Sequence, residues 1–554
     1  MSEQETGIDQ LADDYWGWYL DQQPTHAHLI GDYARAARFE DATRAAEDEQ
    51  IDALDEFVRR AGELDENGFT DQQRITRDVL VADATSRAAL SRQRLAEFAA
   101  DPIFGIQVDM PIVMGMLALP TAEVAEALVD KLRGLGRFYG DLAERQREGV
   151  ARKRVPAEFA VRDTLTQLDG LLSTPVADDP LLQTTSPPHS LDVDGWKAAL
   201  RAAIESDVRP GMAAYRDVLR DEVLPQARPD DRAGLSWVDG GDEAYAATLQ
   251  FFTTTDKTAQ EIHEIGLAQI EKLADEYRAL GPDVVGTDDL DQIFEAMRSD
   301  PKLHFETGDQ LVGASEQAMA RAWEAMPGWF DVLPQAPCAV QSTLSGPKAF
   351  YFPPAGDGSR GGTFFVNVTD PTAWGTFELQ SMAFHEGIPG HHLQLAIAAE
   401  LGDDVPEFRK HLHNSAYAEG WGLYTERLSD EMGLYTAAVD RMGMYSADSM
   451  RACRLVVDTG LHALGWSREQ AVAYMVDNSP LAEGVVRPEV DRYIVSPGQA
   501  TSYMVGRLEI QRMRAEAEQR QGDAFSVKDF HSAVLDSGSL PLGVLDRVVR
   551  ARLA

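Results

Sequence analysis

Apolar residues recur at spacings of three and four along most of the chain, which is the pattern of amphipathic helices. Thr121 precedes one such segment and is a typical N-cap residue, so we predict that a helix starts there. Residues 173–192 and 226–243 are rich in Pro, Ser, Gly and Asp, and we predict loops there. The segments with the clearest helical pattern are residues 51–64, 71–100, 121–146, 195–208 and 258–280.

The pattern changes between residues 328 and 374, where Pro, Gly and β-branched residues accumulate. Residues 362–368 (GTFFVNV) predict a strand, and residues 338–344 (CAVQSTL) predict a partner for it. The helical pattern then returns and continues to the end of the sequence. We therefore predict a mainly α fold with two helical lobes, residues 1–240 and 241–554, interleaved as one unit, and a small β-sheet at about residues 338–368.

Composition and charge exclude several classes of function. The 554 residues are 44% hydrophobic and 26% charged, which is typical of a folded globular protein. The 91 acidic and 51 basic residues give a net charge of −40, which repels phosphate backbones and anionic lipids, so we expect neither nucleic acid nor membrane as a partner. Two cysteines and a first segment without signal-peptide features predict a cytoplasmic location. The composition favours no particular oligomeric state.

Histidines concentrate in one short segment. Five of the 12 lie within residues 385–413, and His385 is followed directly by Glu386 in FHEGIPGHHLQ (384–394). In the metallopeptidase motif H-E-x-x-H, two imidazoles four residues apart lie on one helix face and bind one zinc ion, and the Glu is the general base. The segment therefore predicts a zinc site with His385 as a ligand and Glu386 as the base.

The spacing departs from that motif, because the next histidines are His391 and His392. On a regular helix, six residues place His391 about 120° off the face of His385, and seven place His392 about 10.5 Å along the axis. Pro389 cannot donate to the carbonyl of residue 385, and glycines flank it. We predict a helical bulge that returns His391 to the face of His385, with His392 as the alternative ligand. The competing interpretation is a helix–turn–helix corner with exposed histidines.

A catalytic zinc ion also needs a third protein ligand. The candidate is Glu419, in the helical segment 414–433, because it follows His391 by 28 residues, which is enough for a turn and a returning helix. Glu426 lies seven residues later on nearly the same face. It is either a partner of the metal site or a surface acid.

These residues resemble those of DUF885, a bacterial family of unknown function that is grouped with the gluzincin-like zinc metallopeptidases. The resemblance rests on HEGIPGHHLQ (385–394), AEGWGLYTE (418–426) and PGQATSYMVG (497–506). It implies two helical lobes around a deep cleft, with the small sheet next to the active-site helix. Carried over to this sequence, it also implies His385, His391 and Glu419 as zinc ligands and Glu386 as the base.

Further candidates lie in the last hundred residues. The oxyanion formed in peptide hydrolysis needs a hydrogen-bond donor. We expect Tyr503, which resembles the tyrosine that gluzincin-like enzymes use on the oxyanion, or His462 to supply it. An arginine in this segment can bind the C-terminal carboxylate of a peptide substrate. A strand of the small sheet can pair with the backbone of that substrate. The substrate-binding candidates are Arg492, Tyr493, Gln499, Arg507, Phe365 and Asn367.

The sequence thus predicts a zinc-dependent metallopeptidase that hydrolyses short peptides by attack of a metal-activated water, with Glu386 as general base. Two alternatives use the same residues. One is a metal-dependent hydrolase of amides or esters other than peptides, and the other is a peptide-binding protein with a degenerate metal site.

Overall fold

The computed structural model describes residues 3–354, 360–402 and 405–554, and it is mainly helical, as predicted. The helices of the first half are α1 (Glu3–Gln22), α2 (Pro24–Leu29), α3 (Arg44–Gly62), α4 (Asp71–Ser91), α5 (Ile106–Met114), α6 (Ala122–Ala151), α7 (Glu158–Ser173), α8 (Val193–Ala203) and α9 (Arg209–Val218). Those that follow, up to the sheet, are α10 (Gly241–Thr253), α11 (Ala259–Val284), α12 (Leu290–Ser299) and α13 (Gly308–Ala325).

In residues 378–402 and 405–554, as far as the structure describes them, ten helices follow the sheet. They are α14 (Glu378–Glu386), α15 (His391–Ala399), α16 (Glu407–His411), α17 (Ser415–Glu431), α18 (Ala438–His462), α19 (Arg468–Asp477), α20 (Glu483–Val495), α21 (Ser502–Gln521), α22 (Val527–Leu535) and α23 (Leu542–Arg552). In the described part of the chain, no helix combines the length and the apolar character that crossing a membrane requires.

The predicted helix starts and ends differ in accuracy. Thr121 caps α6 as predicted, because its side chain accepts a hydrogen bond from the N–H of Val124. The helix predicted over residues 71–100 is wrong at its end, since α4 stops at Ser91 and Arg94 has a φ of 57°. Glu97 then lies in a short 3₁₀ turn, fully buried, and binds three arginines from other parts of the chain, Arg44, Arg152 and Arg154. Because these partners are distant in the sequence, the local pattern of apolar residues could not predict where the helix ends.

Two of the hydrophobic cores hold most of the buried apolar residues of the N-terminal helices. One joins α1, α3 and α4 to α13, α14, α15, α17 and the C-terminal helices, and it contains Leu54, Val79 and Trp421. The other is built from α5 to α9 and contains Leu128 and Trp196. The division at residue 240 stays a prediction, while the first of these cores connects residues on both sides of it.

Outside residues 355–359, which the structure does not describe, the small sheet has three strands, β1 (Cys338–Thr343), β2 (Ala349–Phe352) and β3 (Gly362–Asn367), in the order β1-β3-β2. The two predicted strands are confirmed, and β1 pairs with β3 in parallel. The third strand, β2, is antiparallel to β3 and was missed, because its four residues are too few to show an alternating pattern. Since β3 is central, its backbone is paired on both sides, and β1 and β2 form the edges.

Candidate functional site

The stretched histidine motif folds as two helices joined by a sharp turn. Helix α14 ends at Glu386, residues 387–390 form the turn, and α15 begins at His391. The predicted bulge in a continuous helix is therefore wrong. The alternative, a helix–turn–helix corner, is confirmed in its turn and wrong about the exposure of the histidines, because His385 is only 2% exposed. A Cβ on Gly390 would lie 1.9 Å from the carbonyl oxygen of His385, so this turn requires glycine there.

The turn brings His391 back to His385, with ring centroids 4.7 Å apart. Glu419 on α17 faces both rings, and its Oε2 lies 3.4 Å from Nε2 of His385 and 3.5 Å from Nε2 of His391. These separations exceed the 2.7–3.2 Å that is usual for an N–H···O hydrogen bond. Ligand atoms bound at about 2.0–2.1 Å in a tetrahedral zinc site lie roughly 3.3–3.4 Å apart. The three residues therefore fit a shared metal ion.

Glu426 holds His385 in this orientation. The Nδ1–H of His385 donates to Oε1 of Glu426 at 2.8 Å, and Ser381 donates to the other carboxylate oxygen. Glu426 is 1% exposed, so it is a buried partner of the site and not a surface acid. A carboxylate behind a ligating histidine fixes the ring and makes its free nitrogen more basic.

The electrostatics of the triad favour a cation. Burial alone lowers the pKa of His385, but Glu419 and Glu426 outweigh it and raise the pKa to about 9. Burial raises the pKa of Glu419, yet the two histidines hold it well below its usual range. A divalent cation bound between these groups replaces the proton of His385 and meets an ionised carboxylate.

His392 is not available as a ligand. It is fully buried, its Nε2–H donates to the carbonyl oxygen of Ala336 at 3.0 Å, and its Nδ1 lies 2.8 Å from the hydroxyl of Tyr351. Burial lowers the pKa of His392 to about 4, so the ring stays neutral. Of the two histidines that the sequence left open, the structure brings His391 to the triad, and His392 connects α15 to the sheet.

The triad lines a cavity of about 800 Å³. Glu386, the candidate base, lines the same cavity next to His385. Helix α21 contributes Tyr503, whose pKa is raised by burial and by the charge of Glu419. Arg492 and Gln499 also line it, and the Arg492 guanidinium donates to Oε1 of Gln499 at 2.7 Å.

Three other candidates lie in the protein core, outside this cavity. His462 is fully buried, and its ring accepts from the N–H of Leu235 at 3.1 Å and donates to the carbonyl oxygen of Tyr493 at 3.0 Å. The buried Tyr493 hydroxyl donates to Glu489, and Arg507 pairs with Asp448 at 2.6 Å. These side chains are committed to structural contacts, so the expectation of an oxyanion or substrate role for them is not supported by their positions.

The two strand candidates also point elsewhere. Phe365 stacks on Phe350 at 4.9 Å between ring centroids, and the Asn367 side chain donates to the carbonyl oxygen of Gly346. Because β3 is the central strand, no peptide can add to it. The edge strand that lines the cavity of the triad is β2, through residues 349–351, and Lys348 just before the strand also lines it.

The sequence interpretation missed two arginines of α18. Arg451 and Arg454 line the cavity of the triad, and they are 8% and 5% exposed. Their spacing of three residues puts them on one face of a helix, which was a detectable signal. Nothing in the sequence showed that this face turns toward the histidines.

The fold and the family of the chain have known relatives. The family model described as a bacterial protein of unknown function (DUF885) matches residues 24–549. The crystal structure of a proposed lipoprotein from Colwellia psychrerythraea is similar, with 24% identity, a TM-score of 0.89 and 99% of both chains covered. A proposed lipoprotein of unknown function from Shewanella oneidensis has 19% identity and a TM-score of 0.79 over 98% of this chain and 99% of its own. No curated protein matches the chain.

Proposed function

The chain belongs to the bacterial family of unknown function DUF885, and we propose that it is a zinc-dependent metallopeptidase acting on short peptides. One observation carries the proposal. His385, His391 and Glu419 direct one ligand atom each toward a common point, all within 4.8 Å of one another. Two imidazoles and one carboxylate are a ligand set of catalytic zinc sites, in which the fourth position stays open for water or substrate.

The roles of the surrounding residues follow from their positions. A bound zinc ion supplies a Lewis acid that makes a water more acidic and polarises the scissile carbonyl. Glu386 accepts the proton of the attacking water and returns it to the leaving amine. The Tyr503 hydroxyl, whose raised pKa keeps it protonated at neutral pH, donates to the developing oxyanion.

The free edge of β2 is the proposed holder of the substrate backbone. Residues 348–351 line the same cavity as the triad, and among the residues that the structure describes β2 pairs with β3 on one side only. A peptide that pairs with this edge is bound by main-chain hydrogen bonds with little dependence on its side chains. A cavity of about 800 Å³ suits a short peptide rather than a folded protein. We extend the proposal to a gluzincin-like architecture, in which this cavity is the base of a deep cleft between two helical lobes.

The decisive experiment compares Glu386→Gln with the wild-type protein after loading with zinc. We expect zinc to remain bound and hydrolysis of a peptide library to fall at least 100-fold, because the base is removed and the ligands are kept. Glu407→Gln is the matched control, since Glu407 is 55% exposed and lies outside the cavity. Full activity of Glu386→Gln would contradict the mechanism.

The same assay separates the two alternative functions. Turnover of acylated amino acids or esters without turnover of peptides would indicate a non-peptidase hydrolase. Absence of zinc uptake together with tight peptide binding would indicate a peptide-binding protein with a degenerate site.

The location of the protein stays a prediction. The sequence features favour the cytoplasm, whereas the two structural neighbours are described as proposed lipoproteins. Fractionation of the source cells, followed by detection of this chain, decides between the cytoplasm and the membrane fraction.

A further inference from the structure

Four arginines line the cavity of the triad in a chain whose net charge is −40. They are Arg298, whose guanidinium donates to the backbone carbonyls of Val476 and Ser479, and three others. Arg451 and Arg454 come from α18, and Arg492 comes from the end of α20. This positive charge lines the same cavity as the proposed cation site. The triad alone does not account for it, because a metal site attracts cations with its carboxylates and is not helped by nearby guanidinium groups.

The hydrogen bonds of these arginines leave donors unused. Arg454 donates to the Tyr493 hydroxyl at 3.0 Å and to Glu489 at 2.9 Å, but within the described part of the chain its Nη1 has no partner. The buried Nε of Arg451 has none there either, and its Nη2 is 3.9 Å from Glu426, beyond hydrogen-bond distance.

The carboxylates next to these arginines are shared or bonded elsewhere. Glu489 serves Arg454 and Arg492 together, and Glu426 is already bonded to His385. A buried guanidinium with an unpaired N–H is costly, so each such group needs an explanation. An anionic ligand that enters the cavity would supply the missing acceptor oxygens.

The position of the cluster relative to the triad limits what that ligand is. The guanidinium carbon of Arg454 lies 4.5 Å from the centre of the Tyr503 ring, and that of Arg451 lies 6.0 Å from it. Nη2 of Arg451 lies 3.9 Å from Oε1 of Glu426, and that oxygen lies 2.8 Å from Nδ1 of His385, so the cluster is close to the triad. Because one extended residue spans about 3.3–3.6 Å, the anionic group lies one or two residues from the scissile carbonyl.

We propose that Arg454 and Arg451 bind a carboxylate of the substrate, which selects short peptides that carry this group one or two residues beyond the scissile bond. Guanidinium groups bind carboxylates through paired, charge-assisted hydrogen bonds. The carboxylate is the free C-terminus or an acidic side chain, and the substrates below distinguish these sources. This inference rests on the proposed peptidase function.

The test uses three peptides of the same length with the zinc-loaded protein. One has a free C-terminus and neutral side chains, the second is its C-terminal amide, and the third is an amide with a Glu side chain at the last position. We expect kcat/KM of the neutral amide to be about 10- to 100-fold below that of the free acid, the loss expected for a charged hydrogen bond. Recovery with the third peptide would identify an acidic side chain as a source of the carboxylate. Equal rates for all three would overturn the inference.

Variants assign the effect to residues. Arg451→Gln and Arg454→Lys should each reduce the preference for the carboxylate, the second because lysine lacks the planar fork of arginine. Arg441→Gln is the matched control on the same helix, since Arg441 pairs with Asp430 outside the cavity. A preference that survives in both variants would overturn the assignment.

A binding measurement separates this inference from the proposed function. The three peptides are titrated calorimetrically into zinc-loaded Glu386→Gln protein, in which binding does not require turnover. Tighter binding of the free acid or the Glu peptide supports the carboxylate site even where no peptide is hydrolysed, in which case only the peptidase proposal fails. Equal affinities for all three peptides overturn the carboxylate site. They do not bear on the peptidase proposal, which the activity assay of Glu386→Gln tests.

Discussion

His385 donates from Nδ1 to the buried carboxylate of Glu426 at 2.8 Å, and this bond directs its Nε2 toward Glu419. The proposed metal site thus takes its ligands from α14, α15 and α17, with the carboxylate of Glu426 behind His385. We expect Glu426→Gln to keep the fold and to lower zinc affinity by about 10- to 100-fold, the usual cost of losing the partner of a ligating histidine. Competition with a chelator of known affinity measures the change.

Glu431→Gln is the control for this variant. It removes a carboxylate from the same helix, α17, at a position that is 47% exposed and paired with Arg514. Equal zinc affinity of Glu426→Gln and wild type would show that Glu426 plays no part in metal binding.

Gly422 allows α17 to approach His385. A Cβ at this position would lie 2.6 Å from Cε1 of His385 and 2.8 Å from its Nε2, the nitrogen that faces Glu419. We expect Gly422→Ala to displace the imidazole and abolish zinc binding at micromolar metal, since a shift of this ring moves a ligand atom. Zinc content after dialysis measures it. Gly313→Ala on α13 is the control, because its added methyl group meets no atom within 4 Å, and unchanged zinc content in both variants would contradict this role of Gly422.

The local sequence pattern predicted the helices and strands around this site, but it did not predict how they pack together. The helices around His385 and Glu419 and the strands β1 and β3 follow from periodicity. The sharp turn before His391 was only the competing interpretation, because whether a helix bulges or stops depends on what packs against it. His462 is the opposite case: its side chain suits catalysis, but its hydrogen bonds to Leu235 and Tyr493 come from distant segments that no local signal shows.

Metal uptake should depend on pH. In the metal-free protein the pKa of His385 is raised to about 9, so at neutral pH this ring carries a proton that must leave when a metal ion binds. We expect zinc affinity to rise about tenfold per pH unit between pH 6 and 8, with roughly one proton released per ion. Calorimetry in two buffers of different ionisation enthalpy counts the protons. Proton release near zero at pH 7 would contradict this account.

A second pH effect concerns the segment that leads to Tyr503. Asp458 on α18 is fully buried, accepts from the Tyr245 hydroxyl at 2.6 Å and from the N–H of Gly498 at 3.0 Å, and has a pKa that burial raises to about 7. Between the ordinary pKa of aspartate and pH 7, the unfolded chain has lost this proton while the folded protein keeps it. The free energy of unfolding therefore decreases with rising pH through this window.

We accordingly expect Asp458→Asn, which cannot ionise, to gain stability relative to the wild type as the pH rises. The difference between the two free energies of unfolding should shift by about 2–4 kcal/mol in favour of the variant from pH 4 to pH 8. Urea denaturation of both proteins at these two values measures it, and the other titrating groups cancel in the comparison. Asp491→Asn, at a position 19% exposed and paired with Arg468, provides the control for a generic loss of an acid. A constant difference between wild type and Asp458→Asn across this range would show that Asp458 ionises alike in the folded and unfolded chains.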